Sequence, residues 1–232
     1  MYILTRSVDI VEAYKNTSSL SFDIFVQGLM RSTGSSEHVI QKMYQRMDPQ
    51  KDGFPNPRGK PLANLSHDLH RHQLYPGKNL DCLGNSFAEY LGRHLSLEEL
   101  VSERSYCVKS GADKSIVVPL SIWTSDFIVC AGQDAYFGPK LAEIDPRITW
   151  TFIEYDDLSW QVLYRYPPLL SRKMHRTRDQ FVSAIEKYFA VPSEQRKGDS
   201  WFVKAMEAEM RQLDMSTNEL ARLMAVIYWA YV

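Results

Sequence analysis

His67-Asp68-Leu69-His70-Arg71-His72-Gln73-Leu74-Tyr75-Pro76 is the run on which the reading of this chain turns. It reads as the closing turns of a helix that begins near Leu62 and is stopped by Pro76-Gly77, with a second helix starting at about Lys78. Leu62, Leu65, Leu69 and Leu74 recur at three-, four- and five-residue steps, which gives the helix one apolar side. Arg71 and His67 are four residues apart and share another side, expected to turn away from the most exposed polar positions. A guanidinium fork held beside a buried leucine stripe is placed to grip an anionic ligand.

Composition frames that helix. The 232 residues are 44% apolar and 24% charged, enough for a sizeable core and unlike a disordered chain. With 27 basic and 28 acidic side chains the net charge is −1, so no overall field recruits nucleic acid and none is expected as a partner. Cys82, Cys107 and Cys130 are widely spaced with no C-x-x-C, which argues against a disulfide framework or a structural zinc site and suits a reducing compartment. The first residues lack a signal-peptide pattern and no apolar run reaches spanning length, so a cytoplasmic chain without an anchor is expected.

The other elements follow in order. Residues 2–5 read as a strand, and Ser7 as the cap of a helix with Val8, Val11 and Tyr14 on its apolar side. Residues 20–30 have helical spacing with Phe22 and Phe25 as anchors. Residues 47–61 carry Pro49, Pro55, Pro57, Pro61, Gly53 and Gly59 and read as a loop. Residues 79–95 form a helix with Leu80, Leu83, Phe87, Leu91 and His94 on one side. Residues 106–120 read as a hairpin about Gly111. Residues 122–137 form a helix apolar nearly all round and expected in the core, and 146–166 an aromatic-rich helix ended by Pro167-Pro168. A long helix charged on one face covers 169–189, and another over 200–213 sets Phe202, Met206 and Met210 at four-residue steps. Ser216-x-x-Glu219 is a capping box that opens a last helix bearing Leu220, Leu223, Met224, Val226, Ile227 and Trp229. That helix is expected to be central and to reach Val232 without a C-terminal cap, as though the chain stopped inside it. The fold class expected is mainly α with a small β hairpin.

An aromatic ring, three residues, an arginine, then a proline and a Gly-Lys-x-Leu helix start (His67, Arg71, Pro76, Gly77-Lys78-Asn79-Leu80) resemble the C and D helices of the cytochrome P-450 haem-thiolate monooxygenases. The order of elements is similar to the N-terminal half of that fold. It implies a single, incomplete domain over residues 1–232, ending inside the central I helix. Its parts would be a strand and B-helix region at 1–19, a substrate-side helix and B–C loop at 20–61, and C and D helices at 62–95. A hairpin at 104–120, E to H helices at 121–213 and the start of the I helix at 216–232 would follow. Glu12-Ala13-Tyr14-Lys15-Asn16 and residues 201–213 resemble fungal members near the sterol 7α-hydroxylase and prostacyclin-synthase branch. The resemblance implies that Arg71 binds a haem propionate, with His67 where the family usually has tryptophan, and that Phe25 and Met30 face the substrate. For the complete protein it implies insertion of one oxygen atom from O2 into an apolar substrate. Haem iron held by a cysteine thiolate would do this, with electrons from NADPH–cytochrome P-450 reductase at the cytosolic face of the endoplasmic reticulum. The family's oxygen-activating acid and threonine and its thiolate loop are absent from these residues. No catalytic residue is therefore assigned, and the chain is expected to lack monooxygenase activity.

Other residue groups carry plainer readings. Cys82-Leu83-Gly84 ends like a thiolate loop, but Lys78 stands where a glycine is needed and Cys82 falls within a helical period, so a buried, inert thiol is expected. His67, His70 and His72 lack the i,i+4 spacing of helical metal pairs and read as polar histidines on a half-exposed helix. Arg71 has the alternative of a surface ion pair with Asp68 or Glu89. Glu154, Asp156 and Asp157 read as a solvated face, and the aromatics from Trp150 to Tyr166 as core. The rival function is a non-enzymatic helical module that binds a partner or an apolar ligand through its last helix.

Overall fold

The computed structural model describes residues 4–16, 22–96, 108–109, 116–164 and 166–232. Among these residues the protein is mainly helical, as expected. The helices are α1 (Ser7–Lys15), α2 (Asp23–Ser32), α3 (Glu37–Tyr44), α4 (Leu62–Leu74), α5 (Lys78–His94) and α6 (Leu120–Phe137). They continue with α7 (Lys140–Ile144), α8 (Ile148–Leu163), α9 (Arg172–Ala190), α10 (Trp201–Gln212) and α11 (Thr217–Tyr231). Two short strands, β1 (Val108–Lys109) and β2 (Ile116–Val117), pair antiparallel with Val108 opposite Val117. Residues 110–115, on which a hairpin turn depends, lie outside the described residues.

Helix α9 is the hub, packed against α11, α8 and α7. Its partner α11 opens with the capping box, in which Ser216 and Glu219 satisfy each other's backbone N–H groups. Leu220, Ala221, Leu223, Met224, Ala225 and Tyr228 of α11 are buried. The Tyr228 ring lies 5.1 Å from Phe181 of α9, 4.8 Å from Phe152 of α8 and 5.4 Å from Phe137 of α6, and its hydroxyl donates to Gln133 Oε1 at 2.8 Å. One buried phenol thus ties four helices together, with its polar end satisfied. A second layer carries the site: α4 packs on α10, α3 and α5, while α5 pairs with α6. The proline-rich loop is held to α10 by a buried ion pair, Lys51 Nζ to Glu209 at 2.6 Å, and by the Phe54 N–H donating to Glu209 Oε1.

Several local expectations are corrected. Ser7 is the first helical residue, and the N-cap is Arg6, without a side-chain cap. Leu4 and Thr5 are in no strand, and residues 1–3 lie outside the described residues. Val8, Val11 and Tyr14 are exposed because α1 buries none of its residues. Phe22 and Phe25 are exposed as well, and α2 buries Met30 and Ser32 instead. Leu74 is exposed while Gln73 is buried. Five residues carry the helix about 140° past Leu69, whereas four return almost to it. In α6 the first half is more open, with Leu120, Ile122 and Ile128 exposed, while its buried residues run from Asp126 to Phe137. Helix α8 stops at Leu163, short of the prolines, and keeps Phe152 and Tyr155 buried but Trp150 and Trp160 exposed. Helices α3 and α7 are additions. Helix α3 had a readable signal in Ser36, whose side chain accepts from Val39 N, and in Val39, Ile40 and Met43, all buried.

Candidate functional site

The site is built on the roll of α4 about its own axis. Leu62, Leu65 and Leu69 face the core, and Gln73 extends that face by using both ends of its amide. Its Nε2 donates to Asn79 O at 2.7 Å, and its Oε1 accepts from Phe202 N at 2.9 Å. A buried amide satisfied on both sides fixes rotation as well as position. His70 is the second fixing point. Its Nε2 lies 2.9 Å from Tyr136 OH, its ring stacks on Tyr231 at 3.8 Å and it meets Phe202 edge-on at 5.1 Å. Burial pushes the His70 pKa below its ordinary 6.5, with a further push from His67, and burial raises Tyr136 to about 12. A neutral imidazole and a protonated phenol therefore share one hydrogen across the α4–α6 contact.

With α4 locked in this roll, His67 and Arg71 emerge on its exposed side. This corrects the expected orientation. Each is two residues from Leu69, a turn of about 200°, which places them opposite the buried stripe. Neither makes a hydrogen bond or ion pair with a described residue. Asp68, a candidate partner for Arg71, pairs with Lys60. His72 departs in a third direction and packs against Trp201 at 4.5 Å and Phe54 at 5.5 Å. The three histidines thus do not converge, and among the described residues no group of three metal-ligating side chains assembles. Phe25 and Met30 are not brought to this face. Phe25 is exposed, its ring tilted against Phe22 at 5.1 Å, while Met30 is in the core.

An apolar groove of about 290 Å³ adjoins the His70 cluster between α5, α6 and the end of α11, lined by Leu83, Phe87, Ile128, Gly132, Tyr136 and Tyr231. Gly132 brings α6 close to the end of the chain, since a Cβ there would come 3.3 Å from Val232 Cγ1. Tyr136 is positioned from behind by the loop before α10, where Ser200 N donates to Tyr136 O at 2.8 Å. Beneath that loop lies Arg196, only 1% exposed, with its guanidinium 4.8 Å and 4.9 Å from the rings of Tyr188 and Phe189. It pairs with Glu207, whose other oxygen accepts from Arg211 at 2.8 Å, while Asp199 stands 3.9 Å away. Lys204 Nζ comes within 3.0 Å of Asp199 as an ion pair rather than an aligned hydrogen bond. Tyr136, Tyr231 and Arg196 carry no local pattern that marks them in the sequence, whereas Phe202 belongs to the four-residue steps of α10. A cleft of about 1190 Å³ between α8 and α9 mixes Glu154, Asp157 and Asp179 with Lys173 and Arg176 and converges on no point.

Arg71, exposed and in no ion pair with a described residue, has the chemistry to take a carboxylate such as a haem propionate. The iron side is unmatched among the described residues. Cys82 is exposed on α5, which corrects the expected buried thiol, and Cys130 Sγ donates within its own helix layer to Asp126 Oδ1 at 3.6 Å and Thr149 Oγ1 at 3.5 Å. Cys107 lies outside the described residues. Glu154 pairs with Lys173 at 2.7 Å and Asp156 accepts from Trp229 Nε1 at 2.6 Å, so these carboxylates form no acid–base pair. No helix among the described residues is long and apolar enough to cross a membrane. Comparison with known proteins gives no match, whether to a protein-family model, a curated protein or a solved structure.

Proposed function

We propose that this chain is the propionate-binding, helical portion of a haem-thiolate monooxygenase of the cytochrome P-450 type. The observation that carries the reading is Arg71, an exposed arginine without a carboxylate partner among the described residues, four positions from His67 on a helix whose roll is fixed by Gln73 and His70. The role of Arg71 is to hold a carboxylate through its fork, and that of His67 is to add a ring nitrogen beside it. In the complete protein the haem supplies oxygen activation toward an apolar substrate, with electrons from NADPH–cytochrome P-450 reductase. No catalytic step is assigned to the residues described. The rival reading, binding through the last helix, is weakened by the burial of six α11 residues, which leaves Val226, Ile227 and Trp229 half-covered.

The test is a titration of the purified chain with haemin and with haemin dimethyl ester, whose propionates are blocked. The free acid is expected to bind more tightly than the ester, and Arg71→Ala to remove most of that difference, about three- to tenfold for an exposed charge-assisted pair. Equal affinity for acid and ester in the unaltered chain refutes the assignment. A carbon monoxide difference spectrum of the reduced protein is expected to lack a thiolate band, and a clear band would overturn the expectation of inactivity.

A further inference from the structure

We propose that Asp199 is a proton-operated latch on the start of α10, an assignment independent of the haem reading. Charged, it holds the Lys204 ammonium against the loop before that helix; on taking up a proton it lets the ammonium go. The pair is asymmetric in a way that sets which partner moves. The Asp199 side chain is fully buried, whereas that of Lys204 is 48% exposed, and the two lie 3.0 Å apart. Asp199 is also fixed through its chain neighbours. Gly198, at φ +87°, brings the loop against Gly138, Ser200 N donates to Tyr136 O at 2.8 Å, and the Ser200 side chain accepts from Val203 N. A lysine on a flexible four-carbon stem has no such constraint, so loss of the charge releases Lys204 and leaves the loop in place.

The surroundings favour proton uptake. Neither oxygen of Asp199 has a hydrogen-bond partner among the described residues, and Arg196 Nε stands 3.9 Å away, too far for one. The charged and titratable groups around it are Arg196 in its own loop, Lys204 and Glu207 on α10 and Tyr188 on α9. Arg196 keeps Glu207 as counter-ion when Asp199 is neutral, and Tyr188 stays protonated, its pKa raised by burial and then by Asp199, with its hydroxyl donating to Phe137 O. Burial holds the Asp199 carboxyl above its ordinary 3.8 against the pull of Lys204 and Arg196. The consequence falls on a cavity of about 370 Å³ between the starts of α5 and α10, lined by Asn79, Cys82, Ser86 and Trp201, whose charged lining residues are Asp199 and Lys204. With Asp199 ionised the two charges cancel; with Asp199 protonated the cavity carries the positive charge of Lys204.

Nuclear magnetic resonance of the full chain, labelled with carbon-13 in aspartate and nitrogen-15 in lysine and followed from neutral pH into the carboxylate range, tests the latch. The Asp199 carboxyl is expected to titrate above 3.8, and the Lys204 Nζ resonance, identified by its loss in Lys204→Met, to shift with the same midpoint. In Asp199→Asn that resonance should sit at its low-pH position throughout. Stability gives a second readout. A carboxyl whose pKa is raised by folding binds its proton more tightly in the folded chain, so its ionised form costs stability above the folded pKa. Asp199→Asn should therefore unfold at a higher urea midpoint than the unaltered chain at neutral pH, and the gap should close as the pH falls from the folded pKa toward 3.8. His70 is common to both chains and cancels in that difference. A carboxyl that titrates at or below 3.8, or a Lys204 resonance that does not follow it, overturns the proposal. So does a lower midpoint for Asp199→Asn at neutral pH, or failure of that variant to fold, which would make Asp199 a structural counter-ion of Arg196.

Discussion

Replacing Glu207 by glutamine should destabilise the protein by about 3 kcal/mol, because it leaves Arg196 charged and buried without its closest counter-ion. Arg196 is 1% exposed, its Nε and Nη1 have no hydrogen-bond partner, and the charges left near it are Asp199 at 3.9 Å and the two aromatic faces. Breaking a buried pair from one side costs about 3–5 kcal/mol. The lower end applies here because Asp199 keeps part of the Coulomb attraction and the rings add a cation–π contribution of about 1–2 kcal/mol. With a urea dependence of about 2 kcal/mol per molar, the unfolding midpoint should drop by roughly 1.5 M. The control is Arg196→Met/Glu207→Leu, which removes both charges and should recover most of the loss, since the desolvation penalty then disappears with the pair. Urea melts followed by circular dichroism at several pH values above the carboxylate range would check both variants. A midpoint unchanged in Glu207→Gln, or a double variant no more stable than the single one, would refute the claim that charge pairing rather than packing holds the loop before α10.

Two further outcomes follow from the same neighbourhood. The folded-state pKa of His70 lies below its ordinary 6.5, so its stabilising effect is present above that value and is lost as the pH falls from there toward the folded pKa. Thermal midpoints should therefore decline on mild acidification, and His70→Phe, which keeps the contacts with Tyr136, Tyr231 and Phe202 apolar and removes the charge next to His67, should flatten that decline. An unchanged slope would show that His70 is not responsible. Gly138 has φ +67°, and a Cβ there would sit 2.5 Å from Lys197 O and 2.9 Å from the Gly198 carbonyl carbon, so Gly138→Ala should cost at least about 2 kcal/mol in urea melts.

What the sequence disclosed and what it hid divide along a physical line. Periodicity and punctuation are local, so α4, α5, α10 and α11 were readable within a residue or two from leucine spacing, Pro76-Gly77 and the Ser216 box. Which face a helix buries depends on partners far along the chain. Helix α6 is apolar nearly all round, and its pattern could not say that its partners would bury the part from Asp126 onward and leave Ile122 in water. The buried ion pairs were invisible for the same reason: Lys51 and Glu209 are joined across most of the chain, and neither has a local signature. The candidate site shows both sides of this division at once. Arg71 and His67 could be named from spacing, yet the buried Gln73 amide and the contacts of His70 with Tyr136 and Tyr231 decide that they face outward. An arginine on the exposed side of a helix is worth little to stability, where a surface pair contributes at most about 1 kcal/mol, so its uncommitted state has no structural cost to explain. Under the proposed reading its use would be ligand recognition, since α4 is held from the opposite side and Arg71 makes no ion pair with a described residue.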